Sequence, residues 1–368
     1  MPKISVVLPV YNGERFLRES IDSILNQTFC DWELIIVNDC STDGTRQIAE
    51  EYVSKDQRIF LINNVQNLKL PGSLNIGFRK AKGQYLTWTS DDNLYLPEAF
   101  EEMAAYLDKA DFPMVCANME IINEEGAITG IFPKYNKEQM IHNDRVGACF
   151  MYRRDVLEKI GEYDPEWFLV EDYEYWLRIY YECGEIGHID TVLYRYRDHD
   201  GSLTNTRLKD IKAQLHRLRI AYIEHICREL KDNVNLLFQV YVEMMHMDAS
   251  GAGYRDVFCQ TIPAFAIVEP FKSTEPTAIF GAGDYGNRAF RKIGENVLNY
   301  VDTNPEKVGL FYNGKEIISL DDFLERQKEM QLLVALFDGK IGEAILQLYE
   351  SGIQSCSVYQ LLAGVFNY

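Results

Sequence analysis

The cysteine pattern of this sequence is too sparse for a disulfide scaffold or a zinc motif. The 368 residues include eight cysteines, and no two of them have the spacing of a CxxC motif. Structural zinc sites and thioredoxin-like redox sites are commonly built on that spacing, so both classes are disfavoured. Reduced, mostly buried thiols in a cytoplasmic protein are the simplest interpretation.

Long apolar runs and an excess of positive charge are also missing. No run of about eighteen apolar residues occurs, which argues against a transmembrane helix. The sequence has 37 Lys and Arg against 56 Asp and Glu, a net charge of −19. That balance disfavours nucleic-acid binding and broad adhesion to an anionic bilayer. We expect a cytoplasmic protein with no integral membrane segment and no nucleic-acid partner, whose contact with the inner face of the membrane would be peripheral.

Short apolar runs alternate with amphipathic stretches through the first part of the chain. Buried-type strands are predicted at residues 4–8, 34–37, 59–62 and 85–88, with apolar residues at helical spacing between them. Alternation of strand and helix is typical of a parallel, doubly wound α/β sheet. The sequence therefore predicts the α/β class.

The pattern changes twice along the chain. Residues 207–254 lack proline and are rich in helix formers, and a strand–helix pattern starts again at residues 277–280. We therefore predict an α/β domain over residues 1–205, a helical linker over 206–272 and a small Rossmann-like α/β domain over 273–368. A chain of this length is expected to contain two or three domains.

Acidic and aromatic side chains follow three of the predicted strands. The first strand leads into Pro9 and Tyr11, the second into Asp39, and the fourth into Asp91 and Asp92. Ligands of open parallel sheets bind outside the carboxyl ends of the strands, so these side chains are predicted to share one rim. A carboxylate there can accept from a base N–H or hold a divalent cation. One such aspartate alone would more often be a cap or turn residue, but several at matching strand ends favour a site.

Four motifs occur in order within the first 205 residues. They are SVVLPVYN at 5–12, IVNDCSTDGT at 36–45, TSDDN at 89–93 and VEDYEYWLR at 170–178. Together they resemble the family 2 inverting glycosyltransferases, which have the GT-A nucleotide-sugar-binding fold. The resemblance implies transfer of a sugar from a nucleotide-diphosphate donor, by family default a UDP-sugar, to a glycan or lipid-linked acceptor. Assembly of a bacterial surface polysaccharide is the setting that the resemblance implies.

The resemblance also implies roles for the residues that match the family's motifs. Pro9, Tyr11 and Asp39 would surround the nucleotide base, and Asp91 would bind a divalent metal, manganese or magnesium, on the donor diphosphate. Asp172 would be the general base that takes the proton of the acceptor hydroxyl. At an ordinary carboxylate pKa, Asp172 would be fully ionised at neutral pH.

One acidic position of the family's pattern is replaced in this sequence. Thr89 occupies the first position of the Asp-x-Asp motif, so a weak metal site is expected, strengthened by the diphosphate or by Asp92. Further along, His199 is a candidate metal or diphosphate contact, and Arg195 and Arg197 are candidate phosphate contacts. A solvated loop is an equal alternative for these three residues.

A glycine-rich motif begins the last segment. Gly281, Gly283 and Gly286 follow a predicted strand, and Asp302 lies 21 residues beyond Gly281, which is the context of a dinucleotide-binding fingerprint. The segment has only about half the size of a full dinucleotide-binding fold, so a second nucleotide site and a docking or homodimerisation module are equal alternatives. Two rival functions remain open: an NAD-dependent oxidoreductase using this motif, and a non-catalytic scaffold whose metal site was lost with Thr89.

Overall fold

The computed structural model describes residues 1–248, 250–272 and 274–359. Its contacts divide the chain into two compact units, Met1–Leu218 and a unit that begins at Arg219. The predicted boundaries after residues 205 and 272 differ from this single division, and the three-part organisation stays a prediction. The α/β fold class is confirmed, because each unit contains a sheet of mostly buried strands connected by helices.

The first unit, described without gaps, combines strands with helices that mostly alternate along the chain. Its strands are β1 Ile4–Val10, β2 Trp32–Asn38, β3 Ile59–Asn63, β4 Tyr85–Trp88, β5 Leu94–Tyr95, β6 Met114–Ile122, β7 Ile128–Ile131, β8 Phe150–Arg153 and β9 Gly187–Arg197. Its helices are α1 Leu17–Leu25, α2 Thr45–Lys55, α3 Lys69–Lys80, α4 Ala99–Lys109, α5 Lys137–Met140, α6 Arg154–Ile160, α7 Glu171–Arg178 and α8 Leu203–Thr206, and α9 Leu208–Ala221 extends past the division.

The strands of the first unit form a mixed sheet whose parallel half creates a rim. The order is β3-β2-β1-β4-β8-β6-β9-β5, and β7 pairs with β6. Strand β1 is parallel to both β2 and β4, with Val10 opposite Asn38 and Val7 opposite Trp88. The carboxyl ends of these three strands therefore lie side by side, and the loops that follow them share one edge of the sheet.

In the antiparallel half of the sheet, the chain runs back to the edge at which β1, β2 and β4 end. Strand β8 runs antiparallel to β4 and β6, and β5 pairs antiparallel with the end of β9, where Leu94 is opposite Arg195. The residues that follow β9 consequently lie beside the loop that follows β4.

The hydrophobic core of the first unit lies on one face of the sheet, where alternate side chains of β1 pack against α1, α2 and α4. The β-branched and leucine side chains on this face are removed from water, which is the main favourable term in the folding of the unit. The buried cluster includes Ile4, Val6, Leu8, Val10, Leu17, Ile21, Ile24, Ile48, Phe100 and Met103.

The described part of the second unit has a smaller sheet with helices around it. The strands are β10 Thr277–Phe280, β11 Val297–Val301, β12 Phe311–Tyr312, β13 Lys315–Ile318, β14 Gln331–Val334 and β15 Ser357–Val358, in the order β12-β13-β11-β10-β14-β15. The helices are α10 Ile223–Leu230, α11 Val234–Met247, α12 Arg255–Thr261, α13 Asp284–Ile293, α14 Leu320–Arg326 and α15 Asp338–Glu350. All pairs but β12–β13 are parallel, and their order is that of a doubly wound fold.

Helices from the predicted linker pack within this second unit. Helix α11 contacts α15 closely, since a Cβ added to Gly342 would lie 2.5 Å from the carbonyl oxygen of Val234. The Asn235 amide donates to Glu343 Oε1 at 3.0 Å and accepts from the Glu343 N–H at 3.1 Å. The helix therefore belongs with the second sheet. Among the described residues, no helix combines the length and the apolar character needed to cross a bilayer.

Candidate active site

A cavity of about 640 Å³ opens at the carboxyl ends of β1, β2 and β4. Its walls come from the loops after these strands, from the segment after β3 with the start of α3, from the segment before α7 and from the segment after β9. Six of the predicted site residues line it: Pro9, Tyr11, Asp39, Asp91, Asp92 and His199. Positions spread over about half of the chain are therefore brought to one place by the strand order.

Asp39 sits at the end of β2 with one carboxylate oxygen already engaged. Its side chain is only 3% exposed, and Oδ1 accepts hydrogen bonds of 2.8 Å from Asn64 Nδ2 and from the Leu68 backbone N–H. These bonds tie the loop after β3 to the rim, and both are accepted by Oδ1. The capping and ligand-binding interpretations of Asp39 are thus compatible.

Asn12 connects the loop after β1 to the loop after β2 by two hydrogen bonds. Asn12 has φ 56°, a left-handed conformation that asparagine tolerates better than most residues. Its N–H donates to Ser41 Oγ at 2.9 Å, and its Oδ1 accepts from the Thr42 N–H at 2.8 Å. Tyr11 is left 53% exposed at the cavity, as a ring that covers a base would be.

The loop after β4 presents a pair of carboxylates. Gly13 packs directly on one of them, since an added Cβ would lie 2.6 Å from Asp91 Cγ. Desolvation, reinforced by the neighbouring charge of Asp92, raises the pKa of Asp91 to about 7. Asp92 Oδ2 lies 3.0 Å from His199 Nε2, while Oδ1 is buried and has no hydrogen-bond partner among the described residues.

This pair fits a hard divalent cation, because Asp91 and Asp92 are neighbouring carboxylates and Asp92 Oδ1 is a buried oxygen with no hydrogen-bond partner among the described residues. Within the described ranges, no group of three or more His, Cys, Asp or Glu side chains could hold a metal. The remaining ligands would have to come from diphosphate oxygens or water. Thr89 does not complete the site, because it is buried and its hydroxyl is hydrogen-bonded to the hydroxyl of Tyr194 at 2.6 Å.

The two arginines predicted to contact phosphate lie outside the cavity lining. Arg195 pairs with Glu120 at 3.1 Å. Arg197 is 1% exposed and donates to the Asp92 carbonyl oxygen at 2.9 Å and to Glu19 Oε2 at 2.6 Å. Instead of meeting a ligand, the Arg197 guanidinium thus fastens the loop that carries the carboxylate pair.

Asp172 lies in the first turn of α7 and is not among the cavity-lining residues. Its Oδ1 accepts from the Tyr173 N–H at 2.7 Å, and Phe168, four residues earlier, lines the cavity. Desolvation, followed by the charge of Asp144, raises the pKa of Asp172 to about 7. The expectation of an ordinary carboxylate pKa was therefore wrong.

Several cavity residues had no motif to predict them. Arg15, Lys69 and Arg207 bring positive charge to the lining, and the Lys69 ammonium lies 4.7 Å from the centre of the Phe168 ring. Arg15 and Arg207 lie in turns and Lys69 is the first residue of α3, and the position of each depends on the folded sheet. Arg15 is paired with Glu124 and Arg207 with Asp210, so an anionic ligand would share these two cations with carboxylates.

The glycine motif of the second unit forms the turn between β10 and α13. Gly281 has φ 108°, and a Cβ on Gly286 would overlap the Gly281 carbonyl oxygen, so both positions require glycine. The Asp302 carboxylate is engaged locally, by Lys307 Nζ at 2.8 Å and the Asn304 N–H at 2.9 Å. The turn at Gly283 is open, with no atom within 4 Å of an added Cβ. Nucleotide binding here, docking and homodimerisation stay predictions.

Comparison with known proteins matches the first unit to one enzyme family. The model for "Glycosyl transferase family 2" matches residues 5–161. An uncharacterized glycosyltransferase of Rickettsia typhi is 31% identical over 223 residues, which cover 57% of this chain and 69% of that protein. WfgD of Escherichia coli, a UDP-Glc:alpha-D-GlcNAc-diphosphoundecaprenol beta-1,3-glucosyltransferase, is 27% identical over 216 residues, covering 57% of this chain and 83% of its own.

A solved structure has the same fold. The crystal structure of Staphylococcus aureus TarS 1–349 in complex with UDP-GlcNAc aligns with a TM-score of 0.55 at 19% identity, covering 85% of this chain and 98% of that one. The mixed sheet, its strand-end cavity and the matched sequences agree with the resemblance predicted from the motifs. The chain belongs to glycosyltransferase family 2, and its first unit has the GT-A fold.

Proposed function

We propose that this glycosyltransferase moves a sugar from a UDP-sugar to a hydroxyl of a glycan or lipid-linked acceptor, with inversion at the anomeric carbon. The observation that carries the proposal is a single cavity that joins Asp39 at one strand end to Asp91 and Asp92 at another. The donor of TarS and the lipid-diphosphate acceptor of WfgD support these substrate classes. Synthesis of a bacterial surface polysaccharide is the proposed setting.

The cavity has groups for each part of such a donor. Asp39 Oδ2 would accept from the base N–H, with Tyr11 covering the base. Arg15, Lys69 and Arg207 would offset the negative charge of the diphosphate. The volume of about 640 Å³ lies within the range of ligand-binding cavities, so a nucleotide-sized donor can be enclosed.

Asp91 and Asp92 would hold a divalent metal ion, manganese or magnesium. Bound there, the ion would stabilise the negative charge of the departing nucleoside diphosphate. The hydrogen bond from His199 and the anchoring of the Asp92 carbonyl by Arg197 keep the loop in place. Because the protein supplies few ligands, we expect metal and nucleotide to bind together.

Asp172 would act as the general base. It takes the proton of the acceptor hydroxyl while that oxygen bonds to the anomeric carbon and the bond from that carbon to the diphosphate oxygen breaks. One displacement of this kind inverts the configuration. A pKa of about 7 suits the role, because efficient bases have pKa values close to the working pH.

Thermal unfolding with a panel of nucleotides tests the proposal, with UDP and GDP each measured with and without Mn²⁺. We expect UDP with Mn²⁺ to stabilise the protein most, by about 2.7 kcal/mol at 100 times its dissociation constant. Release of UDP from UDP-sugars in the presence of candidate acceptors then identifies the transferred sugar. A preference for GDP would overturn the donor assignment, and independent binding of metal and UDP would overturn the shared site at Asp91 and Asp92.

A further inference from the structure

A strained turn connects the cavity wall to the proposed general base. Over residues 168–172, which we name the 168–172 turn, Phe168 lines the cavity and Asp172 lies in the first turn of α7. Leu169, between them, has φ 85°. A leucine in this region is a conformational outlier, since its Cβ crowds the backbone. Some other contact must therefore hold the turn in this shape.

Glu171 supplies that contact. Its Oε2 accepts a hydrogen bond of 2.6 Å from the Leu169 N–H, and its side chain is only 3% exposed. The cap position of α7 is Val170, whose side chain makes no capping hydrogen bond. Glu171 differs from a capping side chain, because it accepts from an N–H outside the helix, that of the strained residue itself, and not from the N–H groups of the first turn.

We propose that Glu171 is a positioning residue for sugar transfer: its hydrogen bond keeps Leu169 left-handed and so places Phe168 at the cavity and Asp172 at the acceptor. The inference rests on the proposed role of Asp172. The outer part of the turn has a weaker tie, from Gln214 Nε2 to the Phe168 carbonyl oxygen at 3.3 Å. The bond to Leu169 is the shorter of these two side-chain bonds, and the backbone bond from the Val170 N–H to the Trp167 carbonyl oxygen at 2.9 Å does not involve the left-handed residue, so loss of the Glu171 bond should release Leu169.

Four variants test this role: Glu171→Gln, Glu171→Ala, Leu169→Gly and the double variant Glu171→Ala with Leu169→Gly. Glutamine keeps an oxygen that accepts from Leu169, so Glu171→Gln should retain kcat. Alanine removes the bond, and a displacement of the base by about 1 Å lowers kcat about 100-fold. Glycine adopts positive φ without strain, so Leu169→Gly should restore kcat about tenfold in the Glu171→Ala background.

The measurements are kcat, donor KM and the thermal unfolding midpoint of all four variants. We expect Glu171→Ala to reduce kcat far more than it raises the donor KM. We also expect Leu169→Gly to raise the unfolding midpoint more in the Glu171→Ala background than in the wild type. Equal kcat losses for Glu171→Gln and Glu171→Ala, or no rescue by Leu169→Gly, would overturn the inference. The difference between the two midpoint shifts that Leu169→Gly causes is measured without substrate. It can therefore be measured even if the protein transfers no sugar. Unequal midpoint shifts in a protein that transfers no sugar would contradict the proposed function alone. Sugar transfer with equal midpoint shifts would contradict the role of Glu171 alone.

Discussion

Replacing Gly13 by alanine should displace the Asp91 carboxylate at the cavity. The added methyl carbon would lie 2.6 Å from Asp91 Cγ and 2.7 Å from Val10 Cγ2, whereas ordinary contacts begin at 3.4 Å. Gly13 has no left-handed φ, so the conflict is one of space only. The methyl would also overlap Asp91 Oδ2, so the carboxylate must move by more than the roughly 0.8 Å that Cγ alone requires. Displacements near 1 Å at a reacting centre reduce rates about 100-fold.

The assay is turnover of a UDP-sugar together with calorimetric UDP binding at several Mn²⁺ concentrations. Gly13→Ala should lower kcat/KM about 100-fold and weaken the enhancement of UDP binding by Mn²⁺. Gly130→Ala is the matched control, since its Cβ would lie 3.7 Å from the nearest atom, Ile121 Cδ1, an ordinary contact. Unchanged metal-dependent turnover in the Gly13→Ala variant would refute the placement of Asp91 in a shared metal site.

Three further outcomes are expected. Asp39→Asn keeps the Oδ1 bonds but places an amide donor toward the proposed position of the base, so UDP affinity should fall about 10- to 100-fold by calorimetry. The proposed general base must be ionised and the pKa of Asp172 is about 7, so the proposal predicts that kcat rises from about pH 6 to about pH 8 and then levels off; a flat profile would contradict this role. A chain ending at Leu218 contains the whole first unit and should bind UDP. A chain ending at residue 272 keeps α11 without its partner α15, so it should aggregate on expression.

The shared rim could be predicted from sequence because it depends on strand polarity. Asp39 and Asp91 each follow a buried β-type run, and neighbouring parallel strands end at the same edge of a sheet. Gly13 could not be predicted in the same way, although it directly follows the first motif. Its role comes from contact with Asp91, a residue that folding brings from another strand end.

Burial and long-range pairing explain what the sequence pattern missed. The partner of Arg197 is Glu19, 178 positions earlier, so a spacing argument could not show that its guanidinium faces inward. The raised pKa of Asp172 depends on desolvation and on Asp144, in a loop before β8. Neither effect has a local signature, which is why Asp172 was expected to have an ordinary carboxylate pKa.

The most direct test of sugar transfer at this site compares wild type with Asp172→Asn. Asparagine has nearly the same shape and can still accept from the Tyr173 N–H, but it cannot take a proton at neutral pH. Loss of a general base typically lowers the rate about 10²- to 10⁴-fold. We predict a fall in turnover of that size with UDP-sugar affinity nearly unchanged. Near-normal turnover in Asp172→Asn would contradict the account, and loss of donor binding would make Asp172 a donor contact or a structural cap.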